Sequence, residues 1–186
     1  MQKVETKAQQ GKTVLGIDLW TSSAGPRETL GEILDSYLGS SSWTLARTSS
    51  GKPFLEGSPL HFNLSHGDGL VMVAVSLTHH VGVDIESWRR VPRPDLTITG
   101  AFSEDDQRYL ESGAPSERDR MILKGWVRKE ACLKALGTGL LHSPKSVPAG
   151  FAGDQTVHLM GQAVRVSSVE VPEGYVGAVA RLEPAP

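Results

Sequence analysis

A single cysteine, Cys132, stands in the whole chain, so no internal disulfide can form and a reducing cytoplasm is the expected setting. No apolar run approaches the ~20 residues needed to cross a bilayer, so no membrane partner is expected. The segment Met1 to Lys12 lacks the apolar stretch of a signal peptide and reads as a loose tail. A strong charge of either sign is also missing. The formal net charge is −2, which argues against a generally basic nucleic-acid binder. What is present is ordinary globular composition: 186 residues, 39% hydrophobic and 22% charged, enough chain for one sizeable core or two small ones.

Hydrophobic periodicity divides the chain into short elements. Val14 to Trp20 is the first strand by its apolar run. After the turn signal Ala24-Gly25-Pro26, the spacing of Leu30, Ile33, Leu34, Tyr37 and Leu38 predicts a helix stopped by Gly39. Serine-rich stretches at Ser40 to Ser42 and Ser49 to Gly51 read as loops. Leu60, Phe62 and Leu64 alternate with polar residues as a half-buried strand does, and that strand ends at Ser65-His66-Gly67. Leu70 to Leu77 reads as a central strand, and Val81 to Glu86 as the next after a turn at Thr78 to His80; together these predict an antiparallel meander. Pro92 and Pro94 make Arg89 to Thr99 a loop. Ser103 with Asp106 predicts a capped short helix to about Glu111, and a longer helix runs from about Asp119 to a stop at Gly137. Thr156 to Met160, Ala163 to Val171 and Tyr175 to Leu182 are three further strands. The class is α+β. Val14 to Leu19 also echoes Val81 to Ile85 in pattern, which either reflects two similar halves or chance likeness between valine-rich strands.

The chemistry centres on two segments. Alternation in the strand Val81 to Glu86 sends Val83 and Ile85 to one side and Asp84 and Glu86 to the other. Two carboxylates that close are costly without a compensating cation, and oxygen pairs of this kind suit a hard ion such as magnesium. A solvated acidic face on an amphipathic strand explains the same pattern if the segment is taken alone. In the long helix, Glu130 and Lys134 share a face one turn apart, which taken alone is an ordinary surface ion pair. Gly137-Thr138-Gly139-Leu140 is either a plain helix stop or a loop through which backbone approaches a ligand. Cys132, beside Leu133 and without a histidine partner in the sequence, reads as a packed residue rather than a nucleophile.

The joint pattern is more specific than its parts. Gly51-Lys52-Pro53, Phe62-Asn63-Leu64-Ser65-His66, Val81-Gly82-Val83-Asp84-Ile85-Glu86, Trp126-Val127-Arg128-Lys129-Glu130-Ala131-Cys132-Leu133-Lys134 and Gly137-Thr138-Gly139-Leu140 resemble, in order and spacing, the 4′-phosphopantetheinyl transferase superfamily. The two upstream segments resemble its surfactin-synthetase-activating type. That resemblance implies a pseudodimeric monomer of two similar lobes, each an antiparallel sheet packed with helix: a flexible tail over 1–13, a first lobe over 14–79 and a second over 80–186 carrying the metal-binding carboxylates.

The resemblance also implies transfer of 4′-phosphopantetheine from coenzyme A to a serine of an apo acyl, polyketide or peptidyl carrier protein, leaving 3′,5′-ADP. Asp84, Glu86 and Glu130 are then the magnesium ligands, and Asp84, Glu130 and Lys134 the catalytic set. Lys134 would stabilise the leaving group; Glu130, Glu86 or a metal-bound water would take the serine proton. Lys52, Ser65 and His66 are expected at the phosphates, Gly51 and Pro53 beside the adenine, with Lys129 reinforcing the pocket. Against the family pattern the segment before the helix is shortened to Thr21 to Pro26; Arg27, which opens that helix, is expected at the nucleotide, and the shortening is compatible with lower coenzyme A affinity, replacement of basic contacts by Lys7 or Lys12, or a different lobe arrangement. Trp88, Arg89, Arg90 and Arg128 are expected to rim a carrier-protein site. Two other readings share these residues: a non-catalytic module that binds coenzyme A or a carrier protein, and a metal-dependent hydrolase of the coenzyme A pyrophosphate.

Overall fold

The computed structural model describes residues 8–88, 100–139 and 142–184. They form two four-stranded antiparallel sheets, a small hairpin and three α-helices. The first sheet has the order β1-β2-β6-β5, from β1 (Gln9–Gln10), β2 (Asp18–Ser22), β5 (His61–Gly67) and β6 (Leu70–Ser76). The second has the order β7-β10-β9-β8, from β7 (Val81–Ser87), β8 (Gln155–Leu159), β9 (Gln162–Val169) and β10 (Tyr175–Leu182). Helix α1 (Pro26–Leu38) covers the first sheet; α2 (Glu104–Ser112) packs on α3 (Arg118–Leu136), which covers the second. Strands β3 (Leu45–Arg47) and β4 (Pro53–Leu55) make the hairpin.

Most elements lie where periodicity places them, and their ends have local causes. Helices α1 and α3 stop at Gly39 and Gly137, both left-handed, at φ 64° and 72°. Ser103 and Asp106 form the capping box of α2. Three expectations change. The strand expected from Val14 begins at Asp18, because Leu15 and Gly16 turn the chain with positive φ and Val14 exchanges both backbone hydrogen bonds with Ile17, and the end of the stretch read as a loose tail carries the short strand β1, paired with β2. The loop read at Ser49 to Gly51 holds as the turn of the β3–β4 hairpin, whose two short flanking strands the sequence pattern did not mark. The meander breaks after β6: β7 pairs with β10, not with β6.

That break organises the molecule. Between β5 and β7 the backbone ladder is replaced by side chains: the Val83 N–H donates to Asn63 Oδ1 at 2.9 Å and the Ile85 N–H to Ser65 Oγ at 3.4 Å. Beside this polar seam lies an apolar core shared by the two sheets, in which Ile17, Leu19, Met72 and Ala74 meet Val83, Ile85 and Val179. The chain passes from one sheet to the other once, through Leu77–His80. On the opposite side of β7, Gly82 touches α3: a β-carbon there would sit 2.1 Å from the Ala131 carbonyl oxygen and 2.3 Å from the Ala135 nitrogen. Only glycine permits this approach of strand to helix. Among the described residues no helix is long and apolar enough to cross a membrane.

Candidate active site

Residues from three elements meet in a cleft of about 420 Å³. Strand β5 supplies Ser65 and His66, β7 supplies Asp84 and Glu86, and α3 supplies Trp126, Glu130 and Lys134 at helical spacing. Strand alternation puts Asp84 and Glu86 on the helix side of β7 while Val83 and Ile85 enter the shared core. The Gly82 contact then brings the last turns of α3 close enough for Lys134 to reach Asp84.

The centre of the cleft is a small polar network. Lys134 Nζ donates to Asp84 Oδ1 at 2.6 Å, to Ser65 Oγ at 3.1 Å and to the Val83 carbonyl at 3.1 Å. Ser65 Oγ donates to the same Asp84 oxygen at 2.8 Å. Asp84 is 4% exposed, and its other oxygen, Oδ2, is buried with no hydrogen-bond partner. An orphaned carboxylate oxygen is expensive, so it marks where a cation or donor is wanted.

The electrostatics point the same way. Burial pushes the Asp84 carboxyl up from the ordinary carboxylate range, against the pull of the Lys134 charge and its hydrogen bonds. Burial, then the charges of Asp84 and Glu130, push Glu86 up, while Lys134 and a hydrogen bond from Trp126 act downward. Glu130 is raised by burial and by Asp84, with Lys134 opposing. Three carboxylates thus share one cleft with one ammonium and are short of positive charge. That oxygen-only donor set fits a hard divalent cation. Among the described residues no three acidic, histidine or cysteine side chains are placed to hold a metal ion as they stand, so the fit is one of donor chemistry.

The remaining expected site residues are dispersed. Arg27 is exposed at the start of α1 and does not line the cleft. Gly51, Lys52 and Pro53 lie at the β3–β4 turn, where Lys52 bonds to backbone carbonyls of β7 and α3. Lys12 pairs with Glu170 at 2.9 Å on the surface. Lys7, Arg89, Arg90 and Leu140 lie outside the described residues.

Two residues of the α3 motif occupy other places than the sequence suggests. Lys129 is fully buried and bonded to Asp106 at 2.8 Å and to the Val147 carbonyl at 2.5 Å, so it holds α2 and the following loop to α3 instead of reinforcing a ligand pocket. Arg128 is likewise buried and donates to Ala149, Gly153 and Ser168, which removes it from any surface rim. Their helical phase explains both: each faces the body of the molecule, while Trp126, Glu130 and Lys134 face the cleft. Cys132 is buried and its thiol is pushed up to about 12 by burial, as a packed residue should be.

Trp126 and Arg120 are the residues that sequence reasoning missed. Trp126 lines the cleft with Glu86, and its place at the head of the α3 motif was the available signal. Arg120 lies 4.2 Å over the Trp88 ring, a contact between elements that no spacing announces.

Comparison with known proteins agrees with this architecture. The family model described as the 4′-phosphopantetheinyl transferase superfamily matches residues 80–180, which contain β7, α3, β8, β9 and most of β10. A 4′-phosphopantetheinyl transferase, gsp, of Aneurinibacillus migulanus is 37% identical over 91 residues, covering 48% of this chain and 36% of that protein. HetI, a 4′-phosphopantetheinyl transferase of Nostoc sp., is 32% identical over 120 residues, 61% of this chain and 51% of that protein. A holo-[acyl-carrier-protein] synthase of Xanthobacter autotrophicus is 32% identical over 104 residues, 51% of this chain and 76% of that protein. The chain spans about a third to a half of the length of the first two relatives. With the family match running through Asp84, Glu86, Glu130 and Lys134, the chain belongs to the 4′-phosphopantetheinyl transferase superfamily.

Proposed function

We propose that this protein transfers 4′-phosphopantetheine from coenzyme A to a serine of an apo carrier protein, releasing 3′,5′-ADP. The observation that carries the reading is the cleft itself: Asp84, Glu86, Glu130 and Lys134 in one place, with a buried Asp84 oxygen unpartnered. Asp84, Glu86 and Glu130 would hold a magnesium ion. Bound there, the ion would neutralise the pyrophosphate and polarise the phosphorus under attack.

The chain's own residues supply the rest. Lys134, with its ammonium at the centre of the network, stabilises negative charge on the departing 3′,5′-ADP. Glu130 takes the proton of the attacking serine hydroxyl, a task suited to a carboxylate whose proton affinity is raised by burial and by Asp84. Ser65 and exposed His66, at the mouth of the cleft, meet the phosphates. The Trp88 ring with Arg120, beside Lys124, offers a basic, partly apolar surface for an acidic carrier helix.

The surfactin-synthetase-activating type, with two similar lobes in one chain, draws support from connectivity. In each sheet the strand before the helix pairs with the last strand, and the last pairs with the one before it: β2-β6-β5 and β7-β10-β9. The two segments that echo each other in sequence lead into β2 and form β7, with Asp18 at the start of the one strand and Asp84 within the other.

The test is intact-protein mass spectrometry of a panel of apo carrier proteins incubated with this protein, coenzyme A and magnesium. A carrier should gain the phosphopantetheine mass, and Asp84→Ala and Glu130→Ala should abolish the gain. Free phosphopantetheine with unmodified carriers would establish hydrolysis instead. Binding of coenzyme A without either product would leave a non-catalytic module.

A further inference from the structure

We propose that Lys52 is a positioning residue that ties the last turn of α3 to the start of β7, and so holds Lys134 against Asp84; it is not a phosphate ligand. The proposal deepens the catalytic reading above and rests on it for its kinetic arm. A helix leaves its final carbonyls without intrahelical donors. Helix α3 ends where the two sheets meet, and its end is capped from the far side of that junction. Lys52 Nζ donates to the carbonyls of Lys134 at 2.6 Å and Ala135 at 3.2 Å, and to the Val81 carbonyl, which opens β7, at 2.9 Å. An ammonium has three protons, and these acceptors use all of them. A phosphate would have to displace one of these carbonyls.

The rest of the β3–β4 turn supports the same contact. The Ser50 hydroxyl donates to the carbonyl of Gly137, the residue that ends the helix. Gly139, at φ 56°, runs so close that a β-carbon there would lie 3.1 Å from the Ser50 carbonyl oxygen. Positive charge at a helix C-terminus is also where the peptide dipoles favour it.

Lys134 is therefore gripped twice. Its carbonyl is held by Lys52 and its ammonium by Asp84, Ser65 and Val83. Because Val81 and Asp84 lie on one strand, the lysine that fixes Val81 to Lys134 also fixes the register of the Asp84–Lys134 pair. Rate depends steeply on such placement, whereas ground-state affinity for a ligand held by other groups does not.

Lys52→Met keeps the aliphatic stem and removes the ammonium. Hydrogen exchange on the full chain should accelerate about tenfold or more in the last turn of α3 and the first residues of β7. With coenzyme A and a carrier protein, kcat should fall about tenfold or more while the coenzyme A dissociation constant moves less than about threefold. Ser50→Ala, a milder change on the same turn, should shift exchange at the helix end in the same direction, and it decides the matter if Lys52→Met does not fold. The proposal is overturned if Lys52→Met weakens coenzyme A about tenfold or more with wild-type exchange at the helix end, or if Ser50→Ala leaves that exchange unchanged when it alone can be read. Should wild-type protein modify no carrier, the catalytic reading fails, and the exchange measurement still decides whether the clamp exists.

Discussion

At Asp84, Glu86 and Glu130 a proton would compete with the proposed metal for the same oxygens. Each carboxyl is pushed above the ordinary range, first of all by burial. The folded protein therefore binds protons more tightly than the unfolded chain at these positions. Their contribution to stability is greatest below the unfolded carboxylate range and is lost as pH rises through the raised folded values. Magnesium should offset that loss. We expect it to raise the thermal midpoint at neutral pH, with the gain shrinking as the carboxylates protonate; calorimetry between about pH 4 and pH 8 reads this directly. A gain that does not vary with pH would show that the ion binds elsewhere. Trp126 belongs to the same balance, since it lines the cleft beside Glu86 and Glu130 and acts to lower the raised Glu86 carboxyl. Trp126→Phe should weaken magnesium about tenfold by isothermal titration while leaving the fold intact, and an unchanged affinity would remove Glu86 from the ligand set.

Helix α3 and strand β7 work as one unit because Gly82 lets their backbones touch. Gly82→Ala would place a methyl group against the Ala131 carbonyl and the Ala135 nitrogen, which backbone cannot yield cheaply. The expected cost is about 1–3 kcal/mol in denaturant unfolding, with a loss of activity beyond the loss of folded protein as Lys134 is drawn away from Asp84. Wild-type activity in that variant would mean that the pair is placed by something other than this contact. At this scale the sequence was most readable where one element dictates its own pattern. Ser103 and Asp106 announce the cap of α2, Gly39 and Gly137 announce helix ends, and alternation in β7 separates Asp84 and Glu86 from Val83 and Ile85. It was least readable where one element completes another. The sheet change at β7 depends on Asn63 and Ser65 replacing a backbone ladder, and the burial of Arg128 and Lys129 depends on acceptors at Ala149, Gly153 and Val147 that no local spacing reveals.

The two sheets are joined by an apolar core, a polar seam and one short stretch of chain. The core sets Met72 and Ala74 of the first against Val83 and Val179 of the second, and the seam includes the Ser87 hydroxyl on Asp68 and the Tyr175 hydroxyl on the Asp68 carbonyl. The cleft needs both sheets, since Ser65 comes from one and Asp84 from the other. The covalent link between them, Leu77–His80, carries none of the cleft residues, and Leu77 is 62% exposed. We therefore expect covalent continuity there to be dispensable once the protein has folded. Nicking the native protein at an engineered protease site in this turn should leave two polypeptides that co-elute and still modify a carrier, while dilution or mild denaturant separates them and extinguishes activity. The same geometry recommends the turn as a place to open the chain for fragment complementation, in which the proposed carrier-labelling activity should return only when two fusion partners bring the halves together.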